Sequence, residues 1–322
     1  MWRAFRLTEQ FLIFNQNYAG DRIQGNRNYQ EDDFSFLDKK SDSFLMVLAD
    51  GMGGHKGGAI ASNCTIKGFI SHYATSGRVA KRLQKALQQA NHQLALKAQS
   101  QPELRGMGCT LVGVAIHDKQ LEWISVGDSP LWLYRAGKLH RLNADHSMKP
   151  FLQEQVQRGV LTPEDVVIHP DRNMLLSAVT GTRIDLIDQS SIELYFGDRV
   201  LLASDGIFTL SDKEISNILG KPLPAKKLVN ELLEAIENKG KKTQDNTTAL
   251  VVQIPKKFTS VKKAKSQWRW QTGVLFFLFF WSFILWAYIH FRLIDLPELI
   301  AVMLETPVEI STQKPITSTV PP

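Results

Sequence analysis

Carboxylates dominate the residues of this chain that could do chemistry. Short acidic turns are scattered along its first three-quarters: Gln30-Glu31-Asp32-Asp33, Ala49-Asp50-Gly51-Met52-Gly53-Gly54, Ala203-Ser204-Asp205-Gly206 and Gln244-Asp245-Asn246-Thr247. Apolar runs border three of them: Phe44–Leu48 before Asp50, Val200–Leu202 before Asp205, and Thr248–Val252 after Asp245. Strand ends that each present one carboxylate gather hard-cation ligands from distant parts of a sequence. Oxygen ligands with no supporting His or Cys cluster suit Mg²⁺ or Mn²⁺ rather than zinc. The chemistry this points to is metal-assisted reaction at phosphate.

The elements that must position these turns can be read from periodicity. Asp33–Leu37 and Phe44–Ala49 read as strands, with a turn at Lys39-Lys40-Ser41-Asp42. Gly57-Gly58 opens a helix through Ile60, Ile66 and Ile70, and Val79–Lys97 carries an apolar stripe of Val79, Leu83, Leu87, Ala90 and Leu94. Strand patterns follow at Thr110–Ile116, Leu121–Val126, Leu131–Tyr134 and Leu139–Leu142. Helical signals return after Lys149-Pro150, and Thr162-Pro163 has the form of an N-cap followed by proline at the first helical position. Arg199–Ala203 is a strand, Ser211-Asp212-Lys213-Glu214 has capping-box spacing, Ala225–Glu237 is amphipathic, and Thr248–Ile254 closes the series.

Charge is unevenly distributed. The formal net charge of the 322 residues is +6. Residues 256–272 alone hold Lys256, Lys257, Lys262, Lys263, Lys265 and Arg269 with no acid. The preceding part is therefore close to neutral and lacks the basic excess of a nucleic-acid-binding domain. Cys64 and Cys109 cannot build a disulfide framework and read as small buried residues of a reducing compartment. Residues 273–291 (GVLFFLFFWSFILWAYIHF) are long and apolar enough to span a bilayer, with Trp268, Trp270, Trp286 and Tyr288 placed as interfacial aromatics. The basic residues on the N-terminal side place residues 1–272 in the cytoplasm, and they can also attract anionic lipid. The expected domains are thus 1–255, a basic linker at 256–272, a transmembrane helix at 273–291 and a short non-cytoplasmic tail at 292–322.

Order adds specificity that no single turn has, since Asp-Gly alone is a common turn dipeptide. The series runs Gly25-Asn26-Arg27-Asn28-Tyr29-Gln30-Glu31-Asp32, Asp50-Gly51-Met52-Gly53-Gly54-His55, Met107-Gly108-Cys109-Thr110, Val126-Gly127-Asp128-Ser129, Asp145-His146-Ser147, Ser204-Asp205-Gly206 and Asp245-Asn246-Thr247-Thr248. Over about residues 15–255 the chain resembles the bacterial metal-dependent serine/threonine protein phosphatases of type 2C. The resemblance implies an α+β fold: a four-layer sandwich of two antiparallel β-sheets flanked by helices. It implies two Mn²⁺ or Mg²⁺ ions held by Asp50, the Gly51 carbonyl, Asp205 and Asp245, with Glu31 and Asp32 on ligands or bound waters. Arg27 would grip the substrate phosphate, and Asp128 would belong to a third, weaker metal position. Metal activation of water near neutral pH needs no covalent enzyme intermediate. A guanidinium suits bidentate recognition of phosphate.

The chain also departs from the pattern. Met52 stands where animal members carry a His that protonates the leaving group, as is common in bacterial members, and His55 is the remaining candidate general acid. Thr209 replaces an Asp that helps bind the third metal in many members, which weakens that position. The reading is a membrane-anchored phosphatase facing the cytoplasm. It would act on phosphoserine and phosphothreonine proteins and oppose a membrane-associated kinase, with membrane lipid but no nucleic acid as a further partner. Its rivals are an inactive, phospho-dependent binding module and a small-molecule phosphoesterase.

Overall fold

In the computed structural model, the described residues are 17–39, 43–53, 56–75 and 79–255, together with Ile284 and Trp286. The chain divides into two compact units, Met1–Phe258 and Thr259–Pro322. The expected transmembrane helix at 273–291 lies outside the described residues apart from Ile284 and Trp286, which are helical. No helix among the described residues is long and apolar enough to cross a membrane.

The strands are β1 (Tyr18–Ile23), β2 (Asp33–Lys39), β3 (Ser43–Ala49), β4 (Gly51–Met52), β5 (Gly108–Cys109), β6 (Leu111–His117), β7 (Gln120–Val126), β8 (Leu131–Arg135), β9 (Lys138–Arg141), β10 (Asp188–Glu193), β11 (Arg199–Ala203) and β12 (Thr247–Gln253). The helices are α1 (Lys56–Thr75), α2 (Val79–Ser100), α3 (Met148–Gln157), α4 (Pro163–Ile168), α5 (Asp212–Leu219) and α6 (Ala225–Asn238). One sheet has the order β1-β12-β11-β8-β9, the other β10-β7-β6-β3-β2, and β4 pairs with β5 in a short ribbon. Neighbouring strands in both sheets are antiparallel.

Burial on both faces explains why the central strands read as continuous apolar runs. In β3, Phe44, Met46 and Leu48 point between the sheets and pack with Val200, Leu202, Leu250 and Val252. Leu45, Val47 and Ala49 point the other way, onto Phe69 and Tyr73 of α1 and Leu83, Leu87 and Leu94 of α2. On the far face of the first sheet, Leu201, Ala203, Ala249 and Val251 meet α5 and α6 through Ile215, Leu228 and Leu232. The result is the expected order of helix, sheet, sheet and helix.

The helix starts follow local chemistry. Thr162 caps α4 and Ser211 caps α5, each in a capping box closed by the acid three residues on, Asp165 and Glu214. Two strands have no apolar signal in the sequence. β10 (DQSSIE) is a polar edge strand held to β7 by its backbone. β1 (YAGDRI) is an edge strand whose Gly20 lies so close to Leu250 and Phe34 that a Cβ there would meet their side chains at 2.5 and 2.8 Å.

Candidate functional site

Strand register brings the acidic turns to one end of the sandwich. Asp50 follows β3, Asp205 follows β11, Asp245 precedes β12, Glu31 and Asp32 precede β2, and Asp128 follows β7. Arg27, Glu31, Asp50, Gly51, Asp128, Asp205 and Asp245 all line one cavity of about 710 Å³. His55 lies outside the described residues.

Backbone contacts fix Asp50. Its N–H donates to Thr110 Oγ1 (3.1 Å), and its carbonyl accepts from Thr110 N–H (2.8 Å). Thr110 Oγ1 is in turn 2.7 Å from Ser129 Oγ. Next to it, Gly51 donates to the Glu31 carbonyl at 3.2 Å. A Cβ on Gly51 would stand 2.3 Å from the Gly58 carbonyl oxygen and 2.6 Å from that of Glu31, so no side chain fits where the turn meets α1.

Asp32 is buried between the two sheets' ends, and its Oδ2 accepts from Ser204 Oγ (2.8 Å) and Thr248 Oγ1 (2.7 Å). Its Oδ1 is buried without a hydrogen-bond partner. Asn246 ties the remaining turns together: its Oδ1 accepts from Glu31 N–H (2.8 Å), and its Nδ2 donates to the carbonyls of Gln24 (2.7 Å) and Tyr29 (3.0 Å). Gly25, at φ +61°, lets this turn approach within a distance that would put a Cβ 2.4 Å from the Asp245 carbonyl oxygen. Arg27 thereby reaches Asp245, with Nη2 2.6 Å from Oδ2, while its side chain stays 55% exposed.

The electrostatics are those of crowded acids. Burial pushes the Asp50 carboxyl well above the usual carboxylate range, and repulsion from Asp32, Asp205, Asp128 and Asp245 adds to this. Asp205 rises to about 7, first through burial and then through Asp128 and Asp245. Asp32 rises to about 6 through burial, opposed by its two hydroxyl donors. The Arg27 guanidinium is held above its ordinary value, chiefly by its bond to Asp245. Asp128 is also raised by burial, but the neighbouring Lys149 ammonium counters the shift.

These residues fit divalent cations by their chemistry. The donors are carboxylate and carbonyl oxygens, several are buried, they repel one another, and one Asp32 oxygen has no partner. Positive charge placed among them would relieve both burial and repulsion. Among the described residues, no three His, Cys, Asp or Glu side chains close into a ready-made compact ligand cluster, so the carboxylates are gathered around the cavity rather than locked on one point.

A sequence model of Protein phosphatase 2C matches residues 19–253. The chain belongs to the protein phosphatase 2C family. Among its relatives, the serine/threonine phosphatase stp of Listeria monocytogenes is 29% identical over 236 residues, which is 70% of this chain and 91% of that one. The protein phosphatase PhpP of Streptococcus pneumoniae is 31% identical over 216 residues, 65% of this chain and 85% of its own. The crystal structure of the Mycobacterium tuberculosis serine/threonine phosphatase PstP/Ppp superposes with a TM-score of 0.64 at 31% identity, covering 74% of this chain and 98% of that one. The catalytic domain of PstP in complex with two manganese ions gives 0.62 at 30% identity, covering 74% and 97%.

Within this phosphatase 2C fold the structure adds residues that sequence reasoning did not single out for the site. Ser204 and Thr248 fix Asp32, Asn246 organises the Glu31 turn, and Thr110 holds Asp50; all but Asn246 sit at the margins of quoted motifs as ordinary strand-end polar residues. Asn173, Ser177 and Arg183 line the cavity from the loop before β10, which is pinned by the pairing of Val179 with Cys109. Nothing periodic in that loop marks it. Cys109 is buried, donates to Thr65 Oγ1, and its thiol is pushed up to about 12 by burial, as suits a packing residue.

Proposed function

We propose that this chain is a Mn²⁺- or Mg²⁺-dependent protein phosphatase that hydrolyses phosphoserine and phosphothreonine in proteins. The observation that carries the reading is the set of mutually repelling carboxylates at strand ends around one cavity, with Arg27 at its rim. The family and the names of the relatives, serine/threonine phosphatases, support it.

Asp50, the Gly51 carbonyl, Asp205 and Asp245 would hold the ions, with Glu31 and Asp32 bonding to ligands or bound water. When bound, the ions supply Lewis-acid polarisation of the phosphoryl group and activation of water for in-line attack. The protein's part is arrangement. Thr110 and the Gly51 turn keep Asp50 aimed into the cavity. Ser204 and Thr248 hold one Asp32 oxygen, and the other is buried without a hydrogen-bond partner. Asp245 orients Arg27, whose remaining N–H donors can grip two phosphate oxygens and offset charge as the bond to the leaving oxygen lengthens.

The site would work at the inner face of a membrane. The apolar run at 273–291 and its basic flank at 256–272 support a single span, with the tail outside and the basic segment against anionic lipid. A phosphorylated, membrane-associated kinase is a natural substrate for an enzyme held there.

The full-length chain should release phosphate from a phosphothreonine peptide when given Mn²⁺, and Asp50→Asn should not. Hydrolysis of nucleotides but not of the peptide would reassign the site to small phosphoesters. A reporter fused after Pro322 should read as non-cytoplasmic; a cytoplasmic signal would remove the single-span part of the proposal.

A further inference from the structure

The carboxylates of the cavity are not equivalent. Asp128 forms an ion pair with a lysine: Lys149 Nζ lies 3.2 Å from its Oδ2, with the two side chains 25% and 6% exposed. The lysine is held from both ends. Its N–H donates to the N-cap Ser147 Oγ at 3.3 Å, and its ammonium sits 5.2 Å from the centre of the Phe208 ring. Asp128 is fixed as well, since its carbonyl accepts from Arg141 Nη2 at 3.1 Å. Lys149 is the second residue of α3. A cation in the first turn works against the helix dipole, so helix stability does not account for the residue. Its counter-charge is Asp128.

The turn after Asp205, Gly206 to Leu210, offers no further carboxylate. Thr209 is the nearest polar candidate in the turn after Asp205, and its hydroxyl donates to Gln244 Oε1 at 2.6 Å. Gln244 in turn holds the Gly206 carbonyl and Thr247 Oγ1. An ion at Asp128 would have to share one carboxylate with an ammonium already in contact with it.

We propose that Lys149 is a built-in cation of the catalytic cleft, which neutralises Asp128 and keeps a metal ion from binding there. The cleft then carries, besides Arg27, a positive charge that does not depend on metal supply, and its exchangeable ions are confined to Asp50, Asp205 and Asp245 with their neighbours. The inference rests on the metal-dependent reading above.

Equilibrium dialysis of the full-length chain against millimolar Mn²⁺, followed by elemental analysis, counts the ions directly. Asp128→Asn should bind as many ions per chain as the wild type. Thr209→Asp, which adds the second carboxylate while Lys149 remains, should also match the wild type. Thr209→Asp combined with Lys149→Met should bind one more, and the combination with Lys149→Arg should not. Melting curves identify any variant that does not fold, and Asp128→Asn tests the claim without altering Lys149. An ion lost in Asp128→Asn, an ion gained by Thr209→Asp alone, or no gain in the Lys149→Met double variant would each overturn the inference. A wild-type chain that takes up no manganese would instead refute the metal-dependent reading itself.

Discussion

Two sides of one cavity treat the same chemical group differently. On one side, buried Asp32 and half-buried Asp50 and Asp205 have each other as neighbours, and their protons are held at higher pH than usual. On the other, Asp128 is buried and faces the Lys149 ammonium. The first arrangement leaves charge to be supplied from outside, whereas the second supplies it from within the chain. A carboxylate's burial therefore does not by itself mark a metal ligand; the partner it is buried with decides.

Substitution should separate the two sides most sharply. Asp50→Asn should lower Mn²⁺-dependent phosphate release by about 10³-fold or more, on the scale of losing a central electrostatic group. Asp128→Asn, measured at saturating Mn²⁺, should cost about tenfold at most. Equal losses would erase the distinction drawn here. Arg27→Lys is intermediate: it keeps the charge but loses the fork, and kcat/KM for a phosphopeptide should fall by about 10–100-fold.

Stability should show the same contrast. Between the ionisation of unfolded carboxyls near 4 and the folded value of about 7 for Asp205, the native state binds more protons than the unfolded one. The stabilising contribution is thus complete at low pH and is lost as pH rises through the folded values. The metal-free chain should melt several degrees lower at about pH 8 than at about pH 5, and Mn²⁺ should recover the difference. Asp205→Asn should flatten this pH dependence. A melting temperature that rises with pH in the absence of metal would contradict the electrostatic account.

The smallest effect concerns the scaffold. Thr248→Val removes one of the two hydroxyls that hold Asp32. It should cost about 1–2 kcal/mol in denaturant unfolding and weaken Mn²⁺ affinity modestly, without abolishing turnover.

Legibility in the sequence follows the same physics. β3, β6, β11 and β12 are buried on both faces and announce themselves as apolar runs, and the acidic turns at their ends could be ordered because the strands could be found. The caps at Thr162 and Ser211 were readable because capping chemistry is local. β1 and β10 were not, because edge strands paired through the backbone need no apolar alternation. Asp128 was legible as a cleft residue, but its partner was not. Lys149 lies 21 positions away on a helix whose register against β7 only the folded chain reveals. The same holds for Ser204 and Thr248, whose shared contact with Asp32 joins three strand ends far apart in sequence.

The most direct test of the central claim is a manganese titration of phosphate release from a phosphothreonine peptide by the full-length chain, begun from chelator-treated protein. The account predicts no turnover without metal, saturable activation by Mn²⁺, and no activation of Asp50→Asn at any concentration. Turnover in the metal-free chain, or normal activation of Asp50→Asn, would contradict it.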